Sequence, residues 1–130
     1  MILLLDLGNT NLYAGVCENN RIVTEFRKHT DLNRSSDEYL EVLQSFFLTH
    51  KLNPNDFNGA IISSVIPSLT LTIKTAVEKL IKHECLVVNK KIKTGLNIKI
   101  DNPSELGADL VTDCVGALAK YQAPLIIADL

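Results

Sequence analysis

A chain of 130 residues has room for one ordinary domain with a real core, and 46% hydrophobic against 22% charged residues excludes a disordered polymer. The net charge of −2 argues against the basic patch or stripe that collecting phosphate backbones requires, so no nucleic-acid partner is expected. The opening Met1-Ile2-Leu3-Leu4-Leu5-Asp6 has no basic region and meets charge almost at once, so neither a signal peptide nor a membrane span of about 20 apolar residues is expected.

Ile2 to Asp6 is an apolar run ending in a carboxylate, and Gly8-Asn9-Thr10 follows it. This predicts a central strand that runs into a tight turn. Leu12 to Cys17 and Arg21 to Lys28 read as two further strands, joined through Glu18-Asn19-Asn20 with hairpin chemistry. From Asp37 to His50, Leu40, Leu43, Phe46 and Phe47 recur at helical spacing, with Ser36 as the predicted cap. Gly59 to Val65 reads as a buried strand. Pro67 then opens a helix in which Leu69, Ile73, Val77, Leu80 and Ile81 share a face. Cys85 to Val88 is another short strand, and Lys90 to Pro103 is a loop or an edge strand. A third helix is predicted from about Ser104 to Lys120, with Leu106, Leu110, Cys114 and Leu118 aligned. Pro124 releases the chain into a last apolar run, Leu125 to Ala128, which ends at Asp129-Leu130. The order of elements implies an α/β fold, a mixed sheet flanked by helices on one or both faces. Neither a G-x-G-x-x-G nor a G-x-x-x-x-G-K-[ST] sequence occurs, which leaves ordinary dinucleotide and P-loop folds without support.

Three stretches can carry chemistry. In Asp6-Leu7-Gly8-Asn9-Thr10-Asn11 a carboxylate at a strand end can hold Mg²⁺ directly or through water, while Gly8 admits phosphate oxygens to backbone N–H groups. The plainer alternative is a strand-end turn stabilised by its own side chains. Asp129 repeats the arrangement after the last apolar run, and open sheets bind ligands beyond their strand ends. In Asp101-Asn102-Pro103-Ser104-Glu105-Leu106-Gly107-Ala108-Asp109, Gly107 inside the first turns of a helix is costly unless something approaches closely. Asp109 and Asp113, one turn apart, can face the same side, where a carboxylate could accept the proton of a hydroxyl substrate; an acidic face in solvent is the alternative. Ser63-Ser64-Val65-Ile66-Pro67 could bind an anion or polar substrate, or simply cap the helix it leads into. The three cysteines, Cys17, Cys85 and Cys114, lie far apart in apolar surroundings and read as buried thiols of a reducing cytoplasm. His29, His50 and His83 lack ligand spacing and read as surface residues.

Taken together, Asp6-Leu7-Gly8-Asn9-Thr10, Ile62-Ser63-Ser64-Val65-Ile66-Pro67, Asp101 to Asp109 and Ile126-Ile127-Ala128-Asp129-Leu130 resemble the type III pantothenate kinases in order and spacing over the whole chain. The resemblance implies the acetate and sugar kinase, Hsp70 and actin fold, an actin-like or ribonuclease H-like ATPase lobe. It implies transfer of the γ-phosphoryl group of ATP to pantothenate, giving 4′-phosphopantothenate for coenzyme A, with Mg²⁺ and a monovalent cation, K⁺ or NH₄⁺. Asp109 would orient and deprotonate the substrate hydroxyl. Asp6, Gly8, Asn9 and Thr10 would serve the nucleotide phosphates, Asp6 and Asp129 the metal ions, and Asn102, Gly107 and Ala108 the pantothenate pocket. The full-length protein would be a cytoplasmic homodimer, and residues 1–130 its N-terminal nucleotide- and substrate-binding lobe, with the second lobe absent. One departure bears on activity: the family places arginine after the aspartate matched by Asp109, whereas this chain has Leu110, which cannot fork onto a carboxylate or phosphoryl group. The alternative reading is therefore a catalytically weak relative with a regulatory or accessory role.

Overall fold

The computed structural model describes residues 1–89, 92–102 and 105–128. Strand β1 (Ile2–Leu7) lies at the centre of the sheet and is apolar on both faces from Ile2 to Leu5, before Asp6 near its end. Strands β2 (Asn11–Glu18) and β3 (Arg21–His29) form a hairpin beside it. The two-residue connection places Asn19 at φ 50° and Asn20 at φ 61°, conformations that asparagine tolerates and that match the twist of paired strands. After helix α1 (Ser36–Thr49) and a single 3-10 turn (Pro54–Asp56), β4 (Gly59–Ser64) pairs in parallel with β1. Helix α2 (Pro67–Ile81) leads to the three-residue β5 (Cys85–Val87), and helix α3 (Ala108–Lys120) follows. The five strands lie in the order β3-β2-β1-β4-β5, antiparallel within the first three and parallel from β1 to β5, the mixed sheet anticipated.

Alternation along the strands sorts residues onto two faces. Leu3, Leu5 and Leu7 of β1, Leu12, Ala14 and Val16 of β2, and Ala60 and Ile62 of β4 pack against α1 and α2. Those helices contribute Tyr39, Leu43, Phe46 and Phe47, and Leu69, Ile73, Val77 and Ile81. The opposite face carries Ile2, Leu4, Asp6, Tyr13, Gly15, Ile61 and Ser63, and α3 crosses it beside β4.

Several expectations are corrected. The cap of α1 is Ser35, not Ser36: only Ser35 stands three residues before a glutamate, so its hydroxyl receives the Glu38 N–H while the Glu38 carboxylate accepts the Ser35 N–H at 2.8 Å. Residues 92–102 form no strand, so of the two readings of 90–103 the loop holds for its described part. Helix α3 begins at Ala108, with Gly107 in extended conformation as its cap rather than inside the first turns. The predicted stripe Leu106, Leu110, Cys114, Leu118 packs only in part, with Leu106 and Cys114 half-buried, because every step of four residues drifts about 40° around a helix of 3.6 residues per turn. Leu110 and Leu118 are exposed, and the half-buried residues of α3 are Ala108, Asp109, Val111, Thr112, Cys114 and Ala117. Residues 125–128 form no strand. Of the cysteines only Cys85 is fully buried; Cys17 and Cys114 are half-buried, each on an element's less covered side. Among the described residues no helix is long and apolar enough to cross a membrane.

Candidate functional site

The carboxyl end of β1 and the turn after it form one end of the site. Gly8 N–H donates to the Asn11 carbonyl at 2.9 Å, closing the turn, and Asn9 and Thr10 are exposed at its tip. The turn is anchored on two sides. Val65 N–H donates to the Leu7 carbonyl at 3.1 Å. Thr30, just beyond β3, donates its N–H to the Thr10 carbonyl at 2.9 Å and its hydroxyl to the Gly8 carbonyl at 2.8 Å. Thr30 belongs to none of the motifs read from the sequence; a threonine directly after an alternating strand gave no signal.

Asp6 is exposed on the sheet face opposite the core, level with Tyr13 of β2 and Ser63 of β4. Strand pairing sets neighbouring Cα atoms about 5 Å apart and sends these three side chains to the same side. Ser63 and Ser64, read together in the sequence, part company here because successive strand residues face opposite ways. Ser64 turns toward α2, where its hydroxyl accepts the Ile66 N–H at 3.1 Å and the Thr70 hydroxyl at 2.7 Å, a local turn ahead of the helix; the cap position, Ile66, has no side-chain cap bond. Ser63 turns the other way, is 6% exposed, and its Oγ has no hydrogen-bond partner among the described residues.

A cavity of about 350 Å³ opens between this face and α3. Asp6, Ser63, Glu25 and Thr112 are its polar lining, set among Leu4, Tyr13, Gly15, Ile22, Ile61 and Val88. Thr112 lies one turn along α3 from Asp109, and its hydroxyl donates to the Asp109 carbonyl at 2.7 Å. Of the residues singled out in the sequence, Asp6 and Ser63 line this cavity, and Thr112 is what α3 contributes to it; Gly8, Asn9, Thr10 and Asp109 are not among its lining residues. A second cavity of about 640 Å³ lies between the chain after β5 and the start of α3, lined by Lys93, Gly95, Leu96, Leu106, Ala108 and Val111 among others.

At the start of α3 the cap is glycine and has no side chain to accept a first-turn amide. Asp109 supplies the acceptor, its Oδ1 taking the Leu110 N–H at 2.8 Å. A carboxylate is favoured at this position by the helix dipole. A Cβ on Gly107 would run into that same Oδ1, so the glycine leaves the space in which the carboxylate lies. The Asn102 side-chain amide donates to the Glu105 carboxylate at 2.7 Å and its main-chain carbonyl accepts the Glu105 N–H, forming a local turn ahead of α3. Asp113 is exposed, unlike the half-buried Asp109, so the two carboxylates do not share one environment. The candidate Asp129 lies outside the described residues.

Among the described residues no three His, Cys, Asp or Glu side chains converge as a metal cage. The oxygen donors at the Asp6 end nevertheless suit Mg²⁺, which keeps several waters and is held by one or two carboxylates together with substrate phosphates. The orphan Ser63 hydroxyl beside Asp6 offers such a hydrated ion or its ligand one more hydrogen bond. His29, His50 and His83 are all exposed, and Nδ1 of His50 lies 3.0 Å from the Phe46 carbonyl of its own helix.

Comparison with known proteins adds to this geometry. The family model described as type III pantothenate kinase matches residues 2–130. Type III pantothenate kinases of Listeria welshimeri and Listeria monocytogenes are each 40% identical over 129 residues, covering 99% of this chain and 50% of the relative. The chain thus spans about half the length of the curated relatives it matches. The crystal structure of a candidate N-acetylglucosamine kinase from Porphyromonas gingivalis superposes with a TM-score of 0.53 over 67% of this chain and 33% of its own, at 15% identity. That likeness supports the fold, a mixed sheet flanked by helices.

Proposed function

The chain belongs to the type III pantothenate kinase family, and from that premise we propose that it is the N-terminal lobe of a cytoplasmic enzyme that phosphorylates pantothenate with ATP, at the start of coenzyme A synthesis. The observation that carries the reading is one cavity lined both by Asp6 at the end of β1 and by Thr112, which stands one turn along α3 from Asp109. Phosphoryl transfer asks little covalent chemistry of a protein; it asks for two substrates in line and for charge held in place.

In this reading the turn Gly8-Asn9-Thr10 receives the phosphates of ATP, with Gly8 allowing backbone to approach and Asn9 and Thr10 adding polar contacts. Asp6 would hold a hydrated Mg²⁺ there. The ion, when bound, neutralises charge on the β- and γ-phosphoryl oxygens. Asp109 orients the primary hydroxyl of pantothenate and accepts its proton as the new O–P bond forms, while the bond from the γ-phosphorus to the bridging oxygen breaks and ADP departs. Gly107 keeps room for that carboxylate, and Asn102, Gly107 and Ala108 lie along the pantothenate pocket. Asp129 would serve the monovalent cation, K⁺ or NH₄⁺, and a homodimer of the full-length protein would complete the pocket.

The test is ATP-dependent phosphorylation of pantothenate by a protein of the relatives' full length, with Mg²⁺ and K⁺ or NH₄⁺, beside Asp109→Asn. The amide can still accept the Leu110 N–H, so the helix start survives while the proton acceptor is lost. Turnover is expected to fall by at least about 100-fold in the variant, the usual scale of general-base catalysis. Equal turnover in both proteins would remove Asp109 from the mechanism. A second reading has one observation in its favour: Leu110, where the family has arginine, is 38% exposed and gives the start of α3 no guanidinium. A folded full-length protein that binds ATP but shows no turnover would favour that regulatory role.

A further inference from the structure

We propose that Thr30 is a positioning residue for the phosphate-binding turn, resting on the kinase reading above. The residue is 6% exposed and uses both its main-chain and side-chain donors on the turn, one on the Thr10 carbonyl and one on the Gly8 carbonyl. The two accepting carbonyls flank Asn9. A trans peptide points its carbonyl and the following N–H in opposite directions. Drawing the Gly8 carbonyl inward onto Thr30 therefore aims the Asn9 N–H outward, as a donor for an incoming anion. The hydroxyl bond thus fixes which way the turn presents its amide, before any ligand arrives.

The clamp is itself held from behind. Tyr39 of α1 is fully buried, and its hydroxyl accepts the Asp31 N–H at 3.1 Å and donates to the Asp31 carbonyl at 2.9 Å. With both sides of Asp31 engaged, the backbone directly after Thr30 has little freedom, and the rigidity of the helical layer is passed to the turn. Groups placed to bind charge are most effective when their orientation is set in advance.

The experiment uses the full-length protein and compares Thr30→Val, which keeps the shape and removes the hydroxyl, with Thr30→Ser, which keeps the hydroxyl. Thr30→Val is expected to raise KM for MgATP about tenfold, the equivalent of one lost and unreplaced buried hydrogen bond, while KM for pantothenate stays within about twofold, the scatter of an untouched site. Thr30→Ser is expected to restore KM for MgATP to near the wild-type value. In the nucleotide-free protein, amide hydrogen exchange over residues 8–11 should speed up in Thr30→Val and not in Thr30→Ser. Equal rises in both KM values, an unchanged KM for MgATP, or failure of the serine variant to restore it would overturn the proposal. If Thr30→Val does not fold, Tyr39→Phe carries the test: it keeps the buried ring, and an unchanged exchange rate over residues 8–11 would count against the clamp. A wild-type protein without turnover would sink the kinase reading instead, and exchange together with calorimetric MgATP binding would still decide the role of Thr30.

Discussion

Ser63 carries chemistry that the fold alone leaves unexplained. A buried hydroxyl without a partner costs about 1–3 kcal/mol, and this one lies beside Asp6 in a cavity shared with Thr112. A group that is unfavourable in the folded protein and favourable toward a ligand gives mutational effects of opposite sign. Ser63→Ala is expected to melt at the same or a higher temperature than the wild type in calorimetry, and at the same time to lower kcat/KM for MgATP several-fold. A lower melting temperature would show that the hydroxyl is satisfied in solution and would return Ser63 to a structural role. Cys85 makes the contrast. Burial pushes its thiol up to about 11, so it stays protonated at neutral pH and behaves as a small apolar side chain of the core. The sequence showed Asp6 and Gly8 because a carboxylate and a glycine at a strand end are a local pattern. It could not separate Ser63 from Ser64, since the difference lies in which sheet face each meets, and it was silent on Thr30, whose partners are 20 or more positions away.

At the scale of elements, β1 to β4, α1 and α2 were legible because each has a strong period and a partner within the chain. Helix α3 was legible as a helix, but the face it turns inward was not, because a row of every fourth residue looks regular in sequence and winds around the cylinder in space. The apolar run 125–128 has strand composition and forms no strand, since composition alone does not make a ladder. Two of the well-read elements are fastened by carboxylates, and this gives a dependence on pH. Glu38 is held below its ordinary range by the Ser35 N–H and then by the Ser35 hydroxyl. Glu78 is lowered first by the Cys85 N–H, which it accepts at 3.0 Å, and further by Lys74, whose ammonium also grips the Cys85 carbonyl at 2.6 Å. A carboxylate whose pKa is lowered by folding contributes stability above its unfolded pKa and loses it as pH falls through the folded one. Urea midpoints should therefore hold near neutrality and decline below about pH 4.5. In a Glu38→Gln, Glu78→Gln double variant that acid decline should be shallower. An identical pH profile in the two proteins would show that neither carboxylate matters to the acid limb.

Across the whole molecule, the two sides of the sheet are unequally finished. The α1 and α2 side is a sealed core in which aromatic rings meet, as Phe46 does with Phe26 and Phe47 with Phe57. On the other side Val115, Leu118 and Tyr121 are exposed, and Ile126 is 99% exposed. Large apolar groups gathered in one stretch mark a surface that another surface covers, and the curated relatives have about twice this length. Helix α3, which carries Asp109, is then held on one flank only in the 130-residue chain. Hydrogen exchange should report this as slow amides in β1, β2, β4 and α2 beside fast ones over residues 108–127, with the latter slowing in a protein of the relatives' length. Phosphoryl transfer requires reacting groups held to within about an ångström, so the 130-residue chain alone is expected to turn over pantothenate far more slowly than the longer protein, even though its core is intact. Robust turnover by the shorter chain would mean that α3 and Asp109 are already positioned without a second surface, and the exposed apolar stretch would then need a different explanation.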